Sequence, residues 1–277
     1  MMKLHNRAYF YKYVTANVAK SILGDLLVKC SSPLIYDDPL DSRLEIQHDI
    51  KDSEELIERI VTGACNMFAE KLGHSIQDGS AKSVTNEIIK DKGFVCDKIK
   101  AFEKFYEDIN QIVLEFAKKD RMFCVTEKND NLLMWENYAQ NHEGAVIKFK
   151  CIPEKQTGLC AAKKVRYSDD PIILTIEHFF QGQAAVLKYI LDEILLTKQR
   201  KWEYEEEWRV ILLRQSYAHD YDLRGILEEE VEAIYLGCHM AEEDKRDLTN
   251  LIVNSRENVR IYESIKGNSK VSFRSLD

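Results

Sequence analysis

A chain of 277 residues with 45% hydrophobic and 31% charged side chains is long enough to bury a substantial core, and its composition excludes disordered, collagen-like and coiled-coil classes. A formal net charge of -8 does not favour nucleic acid or an anionic membrane as partner, because both attract a positive face. The start of the chain lacks the apolar run of a secretory signal, and no stretch approaches the roughly 20 apolar residues of a bilayer span, so a cytoplasmic protein with no membrane partner is expected.

In chain order, the aromatic run Ala8 to Val14 predicts a strand. Thr15 then predicts the N-cap of a short helix carrying Val18, Ile22 and Leu23, which Gly24 ends, and a second strand follows from Leu26 to Cys30. Prolines and aspartates between Ser31 and Asp41 predict an ordered loop. Leu56, Ile60, Ala64, Phe68 and Leu72 recur every fourth position and predict a helix from Ser53 to Gly73. Phe102, Phe105, Ile109, Ile112 and Phe116 predict another from about Asp97 to Lys119, with a weaker helical segment at Val84 to Lys90.

Beyond Asp120 short strands are predicted at Met122 to Val125, Ala145 to Phe149 and Lys164 to Tyr167, then a helix from about Ile176 to Leu196. Trp208 to Leu213 carries the strongest strand pattern of the chain. Val231 to Leu236, Val259 to Tyr262 and Val271 to Phe273 complete the strands around a helix near Glu242 to Val253. No repeat or Pro/Gly linker divides the pattern. The expected architecture is α+β: one domain over 1–277 with a mixed or antiparallel strand core, short helices and a helical insertion at about 44–120.

The seven cysteines are dispersed and never spaced Cys-x-x-Cys, which predicts mostly core thiols in a reducing compartment. Cys238-His239 has no second pair to complete a zinc site, the histidines show no paired metal spacing, and no metal is expected.

Two segments stand out. In the first, Asn129 or Asp130 is expected to cap a short helix bearing Trp135 and Tyr138 on one face, with Gly144 turning into the next strand. Trp135 and Tyr138 read either as a core anchor with polar handles or as a ligand-stacking platform. The second segment is Lys201-Trp202-Glu203-Tyr204-Glu205-Glu206-Glu207-Trp208-Arg209-Val210-Ile211. As a strand it would display Glu205, Glu207 and Arg209 on one face and bury Trp208 and Val210 on the other. Such carboxylates either form an acid/base site, one of them with raised pKa, or a solvated surface ion pair.

These segments, with Tyr11-Lys12-Tyr13, Asp38-Pro39-Leu40-Asp41 and Ile234-Tyr235-Leu236-Gly237, closely resemble the DUF2971 family. The resemblance spans nearly the whole chain outside the helical block. Asp37 and Leu40 depart from the family's usual Asn and Phe. The resemblance implies a bacterial protein of a kind often encoded near mobile elements and defence loci, and no settled activity.

A more distant likeness is to ADP-ribosyltransferases, through the order strand, short helix, strand, and a late strand carrying a glutamate. It implies an NAD-consuming transferase or glycohydrolase, a toxin or phage-defence effector, with NAD as substrate. Glu207 would be the catalytic carboxylate and Glu205 would position the acceptor. Arg209 would hold Glu207 or a pyrophosphate, Tyr11, Lys12 or Tyr13 would stand at the first-strand position, and Trp135 and Tyr138 would help build the pocket. Two alternatives stay open. One is a metal-dependent nuclease using Asp37, Asp38, Asp41, Glu205 and Glu207; the other is a noncatalytic sensor or partner-binding module whose protein interface is the helical block.

Overall fold

The computed structural model describes residues 5–36, 41, 46–48, 53–72, 86–88, 90–175, 183–215, 218–255 and 258–276. The chain forms two compact units, one of Met1–Pro39, Lys119–Ser168 and Lys198–Asp277, the other of Leu40–Lys118 and Asp169–Thr197. The first unit begins with strand β1 (Tyr9–Val14), helix α1 (Ala16–Asp25) and strand β2 (Leu27–Ser31). The second takes up strand β3 (Ile46–His48) and helices α2 (Ser53–Leu72) and α3 (Lys92–Lys119).

The chain returns to the first unit with β4 (Asp120–Thr126), helix α4 (Leu132–Tyr138), β5 (Ala145–Lys150), β6 (Lys163–Lys164) and β7 (Arg166–Tyr167). Strand β8 (Ile172–Leu174) and helix α5 (Gln183–Leu196) complete the second unit. After the short β9 (Thr197–Lys198) come β10 (Glu207–Leu213), β11 (Tyr221–Gly225), β12 (Val231–Leu236), helix α6 (Glu242–Ser255), β13 (Arg260–Lys266) and β14 (Val271–Ser275). The fold is α+β, as the pattern of elements predicts.

The sheet of the first unit runs β11-β2-β4-β1-β5-β12-β13-β14, with β10 paired to β4 and β6 to β10. It is mixed: β12 and β13 are parallel, while β1, β4, β5 and β10 pair antiparallel. One face carries Phe10, Val14, Phe123, Val125, Ile147, Phe149, Trp208 and Ile234, and helices α1 and α6 add Ile22, Leu23, Leu248 and Ile252 to the same core. The other face carries Tyr13, Val146 and Tyr235, which pack with Met134 and Trp135 of α4. The period-2 alternation along each strand divides the two cores. In the second unit, Ile109, Ile172, Leu174, Val186, Ile190 and Ile194 form a separate cluster, and Glu54 and Glu55 in the first turn of α2 complement its dipole.

Several boundaries differ from the sequence reading for local reasons. Helix α1 does not stop at Gly24: it runs to Asp25, and Leu26 takes the left-handed cap at φ 54, its N–H donating to Ile22 O. Thr15 does cap the helix, accepting from Val18 N. Helix α3 starts at Lys92 rather than Asp97. The predicted strand from Lys164 to Tyr167 is two short bridges, one to β10 and one to β9. Residues 176–182 of the helix predicted from Ile176, and residues 84, 85 and 89 of the Val84 to Lys90 segment, lie outside the described residues. Cys30, Cys151 and Cys160 are buried thiols, whereas Cys96 is exposed.

Candidate functional site

The helix cap at α4 is Asn131, not Asn129 or Asp130. Its Oδ1 accepts from Met134 N at 3.2 Å while its Nδ2 donates to Tyr204 O at 2.6 Å, so one side chain ties α4 to the segment that precedes β10. Asn131→Ala is expected to cost about 1–2 kcal/mol, seen as a lower denaturation midpoint with an unchanged slope.

The segment before β10 also departs from expectation. Arg200–Glu205 is a 3₁₀ helix, and Glu206 at φ 45 is a left-handed hinge into the strand, which begins only at Glu207. The acidic face is not displayed. Glu205 and Glu207 are 4% and 5% exposed and Arg209 is 0% exposed, so the surface ion pair weighed from the sequence is a buried network.

Glu207 Oε1 accepts from Arg209 Nε at 2.8 Å, and its Oε2 from Arg209 at 3.1 Å and from Lys198 Nζ at 3.3 Å. Glu205 Oε2 accepts from the same ammonium at 2.6 Å, and its Oε1 from the Tyr138 hydroxyl at 2.5 Å. Two carboxylates and two cations therefore form a formally neutral quartet. Glu207 N donates to the Tyr167 hydroxyl at 2.8 Å, and Cys124 hydrogen-bonds Glu207 and lies 3.2 Å from the Tyr36 hydroxyl.

The two carboxylates differ in proton affinity. Burial raises the Glu205 pKa and the Glu207 charge adds to it, against the opposing pull of Lys198. For Glu207 the burial penalty is outweighed by Arg209 and Lys198, which hold its carboxyl below the usual carboxylate range. Burial and the Glu207 charge push the Cys124 thiol up to about 12, and burial with the Glu205 charge also raises Tyr138.

Of the residues singled out from the sequence, Glu205, Glu207, Arg209 and Tyr138 come together. Arg209 holds Glu207. Tyr11 pairs with Thr126 and Thr126 with Glu207, so Tyr11 and Tyr13 share the sheet face of the carboxylates. Tyr13 packs edge-on against Trp135 and Tyr11 edge-on against Tyr235, while the phenols' burial raises both pKa values.

Lys12 stands on the opposite face, its ammonium 5.5 Å from the Phe123 ring centre, so it does not meet the carboxylates. Trp135 is 0% exposed, donates its indole N–H to Asn129 O at 2.7 Å and stacks on His142. It is the core anchor, with no face left for a ligand, because its partners enclose it. Among the described residues no group of three or more His, Cys, Asp or Glu side chains is placed to hold a metal ion. Asp37 and Asp38 lie outside the described residues, and Asp41 is buried in the second unit.

Sequence reasoning missed Lys198, Tyr167, Cys124 and Tyr36. One signal pointed to Lys198: Glu203, Glu205, Glu206 and Glu207 fall within five positions, and burying any of them requires nearby cations. Cys124 and Tyr167 arrive through strand pairing and Tyr36 from the 3₁₀ turn after β2, and none of the three leaves a local trace.

Residues 134–210 match the model of DUF2971, described as a protein of unknown function. Over this segment the chain is similar to DUF2971. No curated protein and no solved structure is detectably similar to the chain. The DUF2971 segment runs from Met134 in α4 to Val210 in β10 and so holds Tyr138, Tyr167, Lys198, Glu205, Glu207 and Arg209. Tyr36 and Cys124 stand outside it. No helix of the described chain is long and apolar enough to cross a membrane.

Proposed function

We propose that the quartet is the acid–base centre of an enzyme that cleaves the glycosidic bond of a nucleotide, with NAD as the substrate and Glu205, rather than Glu207, as the reacting carboxylate. One observation carries the reading: two buried carboxylates share a single ammonium, yet their environments push their proton affinities in opposite directions. Such a split separates a proton-carrying group from a fixed charge.

Glu207 has Arg209 and Lys198 on its oxygens and little negative charge to offer a developing cation. Glu205 has one cation and a hydroxyl. Its hydroxyl partner, Tyr138, is 36% exposed, and Trp202 and Tyr204 lie beside Lys198 and Asn137. In the proposed reaction the ribose C1′–N bond breaks and its electron pair leaves with nicotinamide. Water or an acceptor hydroxyl then adds at C1′, and its proton passes to Glu205.

Incubation with labelled NAD and cell extract tests the proposal. Glu205→Gln is expected to lower nicotinamide release or label transfer by about 100-fold or more. Wild-type turnover no greater than that of Glu205→Gln removes the enzyme reading.

A second reading, a noncatalytic partner-binding module, is favoured by the neutrality and enclosure of the quartet, which suit a structural tether. It requires that Glu205→Gln alter stability alone, with wild type inert toward NAD, and that the protein bind a neighbouring gene product on size exclusion.

A further inference from the structure

His142 is a buried imidazole that its surroundings leave without a bond. It is 0% exposed, and neither ring nitrogen has a hydrogen-bond partner among the described residues. Its ring lies parallel to Trp135, the planes 2° apart and the centres 5.6 Å apart, and His239 meets it edge-on at 5.6 Å. The charged and titratable groups facing it are Lys266 of β13, Glu136 of α4 and His239 after β12; Lys266 and Glu136 pair at 3.3 Å.

The backbone here is strained. Gln140, Asn141 and His142 are three consecutive non-glycine residues in the left-handed region, at φ 47, 50 and 69. They are held there by His142 N donating to Trp135 O at 3.2 Å, by His142 O accepting from His239 N at 3.0 Å, and by Gly144 N donating to Ala139 O at 2.8 Å.

A neutral imidazole suits this pocket and an imidazolium does not. A proton would add a buried charge and a second N–H donor with no acceptor, close to Lys266. The Trp135 face offers a cation some attraction, but that is smaller than the penalty for a buried ion with unmet donors. Burial, with Lys266 and His239 adding to it, therefore holds His142 below the ordinary histidine range; Glu136 acts in the other direction but is shared with Lys266.

We infer that His142 is an acid-sensitive latch on the Glu205 site: when it takes up a proton, the 139–144 turn releases Trp135, and α4 no longer holds Tyr138 against Glu205. As regulation of that site the inference rests on the reading proposed above, whereas the latch itself rests only on these contacts. The open form binds the proton more readily than the closed form. Closure is thus fully favoured above roughly pH 6.5 and weakens below it by up to about tenfold per pH unit, until the lower closed-state pKa is reached.

Amide hydrogen exchange of the whole protein tests the latch at about pH 7.5, 6.5 and 5.5, after correction for intrinsic rates. Protection of α4 and the 139–144 turn is expected to fall about tenfold between the first and last of these values in wild type. It should stay flat in His142→Phe, which keeps a ring against Trp135 but cannot titrate. No fall in wild type, or the same fall in the variant, overturns the latch. Because phenylalanine at a positive φ can itself prevent folding, NMR titration of the wild-type His142 ring is the second measurement. A pKa at or above about 6.5 overturns the proposal and a lower one supports it. Absent NAD turnover with a working latch would count against the Glu205 chemistry alone.

Discussion

Arg209→Leu is expected to destabilise the protein by about 3–5 kcal/mol, the largest effect of any single substitution in the quartet. Arg209 is fully buried and donates through Nε and Nη2 to both oxygens of Glu207. Its loss leaves the quartet with one excess negative charge, and Lys198, already 2.6 Å from Glu205, is the remaining cation. The breakage penalty comes from the stranded carboxylate more than from the value of the pair itself.

The companion expectation is that Glu207→Met with Arg209→Leu together recovers most of the loss, because an apolar pair needs no compensating charge. Denaturant titration of wild type, both single variants and the double variant closes the cycle. A coupling energy under about 0.5 kcal/mol would mean that the two side chains do not depend on each other. The pair also sets a pH signature. Glu207 is held below its ordinary pKa, so its contribution is present above about pH 4.3 and is lost as the pH falls further. In Arg209→Leu that part of the acid sensitivity should disappear.

Gly237→Ala is expected to cost roughly 3 kcal/mol, read as a drop in melting temperature of about 6–12 °C. A Cβ at this position would lie 1.9 Å from His142 O and 2.7 Å from Gly144 O, both rigid backbone atoms. Gly237 N also donates to Gly144 O at 2.9 Å, which draws the two turns together. Gly24→Ala supplies the control of opposite sign. Its Cβ would meet nothing nearer than Leu251 at 4.0 Å, and in the last turn of α1 it should stabilise by up to about 0.5–1 kcal/mol. Equal melting points for the two variants would show that the close approach at Gly237 does not constrain the turn.

How much of this was legible in the sequence depends on how local the cause is. The four-residue recurrence in α2 and the Thr15 cap of α1 act within one or two turns of chain, and both are found where the pattern puts them. Trp208 is in the core, 8% exposed, as the alternation in its strand implies. The end of α1 was misplaced because Leu26 accepts a left-handed conformation that sequence preference assigns to glycine. The strand expected through Glu205 was not found, since Asn131 and Tyr138, more than sixty residues earlier, hold that segment as a 3₁₀ turn against α4.

The sequence by itself determined the α+β character, the position of most helices and strands, the DUF2971 likeness and the pairing of acidic with basic side chains around Trp208. Only the tertiary structure decided that this charge is enclosed rather than displayed. It also decided that Lys198 sits between the two glutamates, that Lys12 faces away from them, and that Trp135 is sealed against His142. The physical reason is that side-chain periodicity is set by neighbours along the chain, whereas the solvation and proton affinity of a carboxylate are set by whatever other strands and helices bring within a few ångströms.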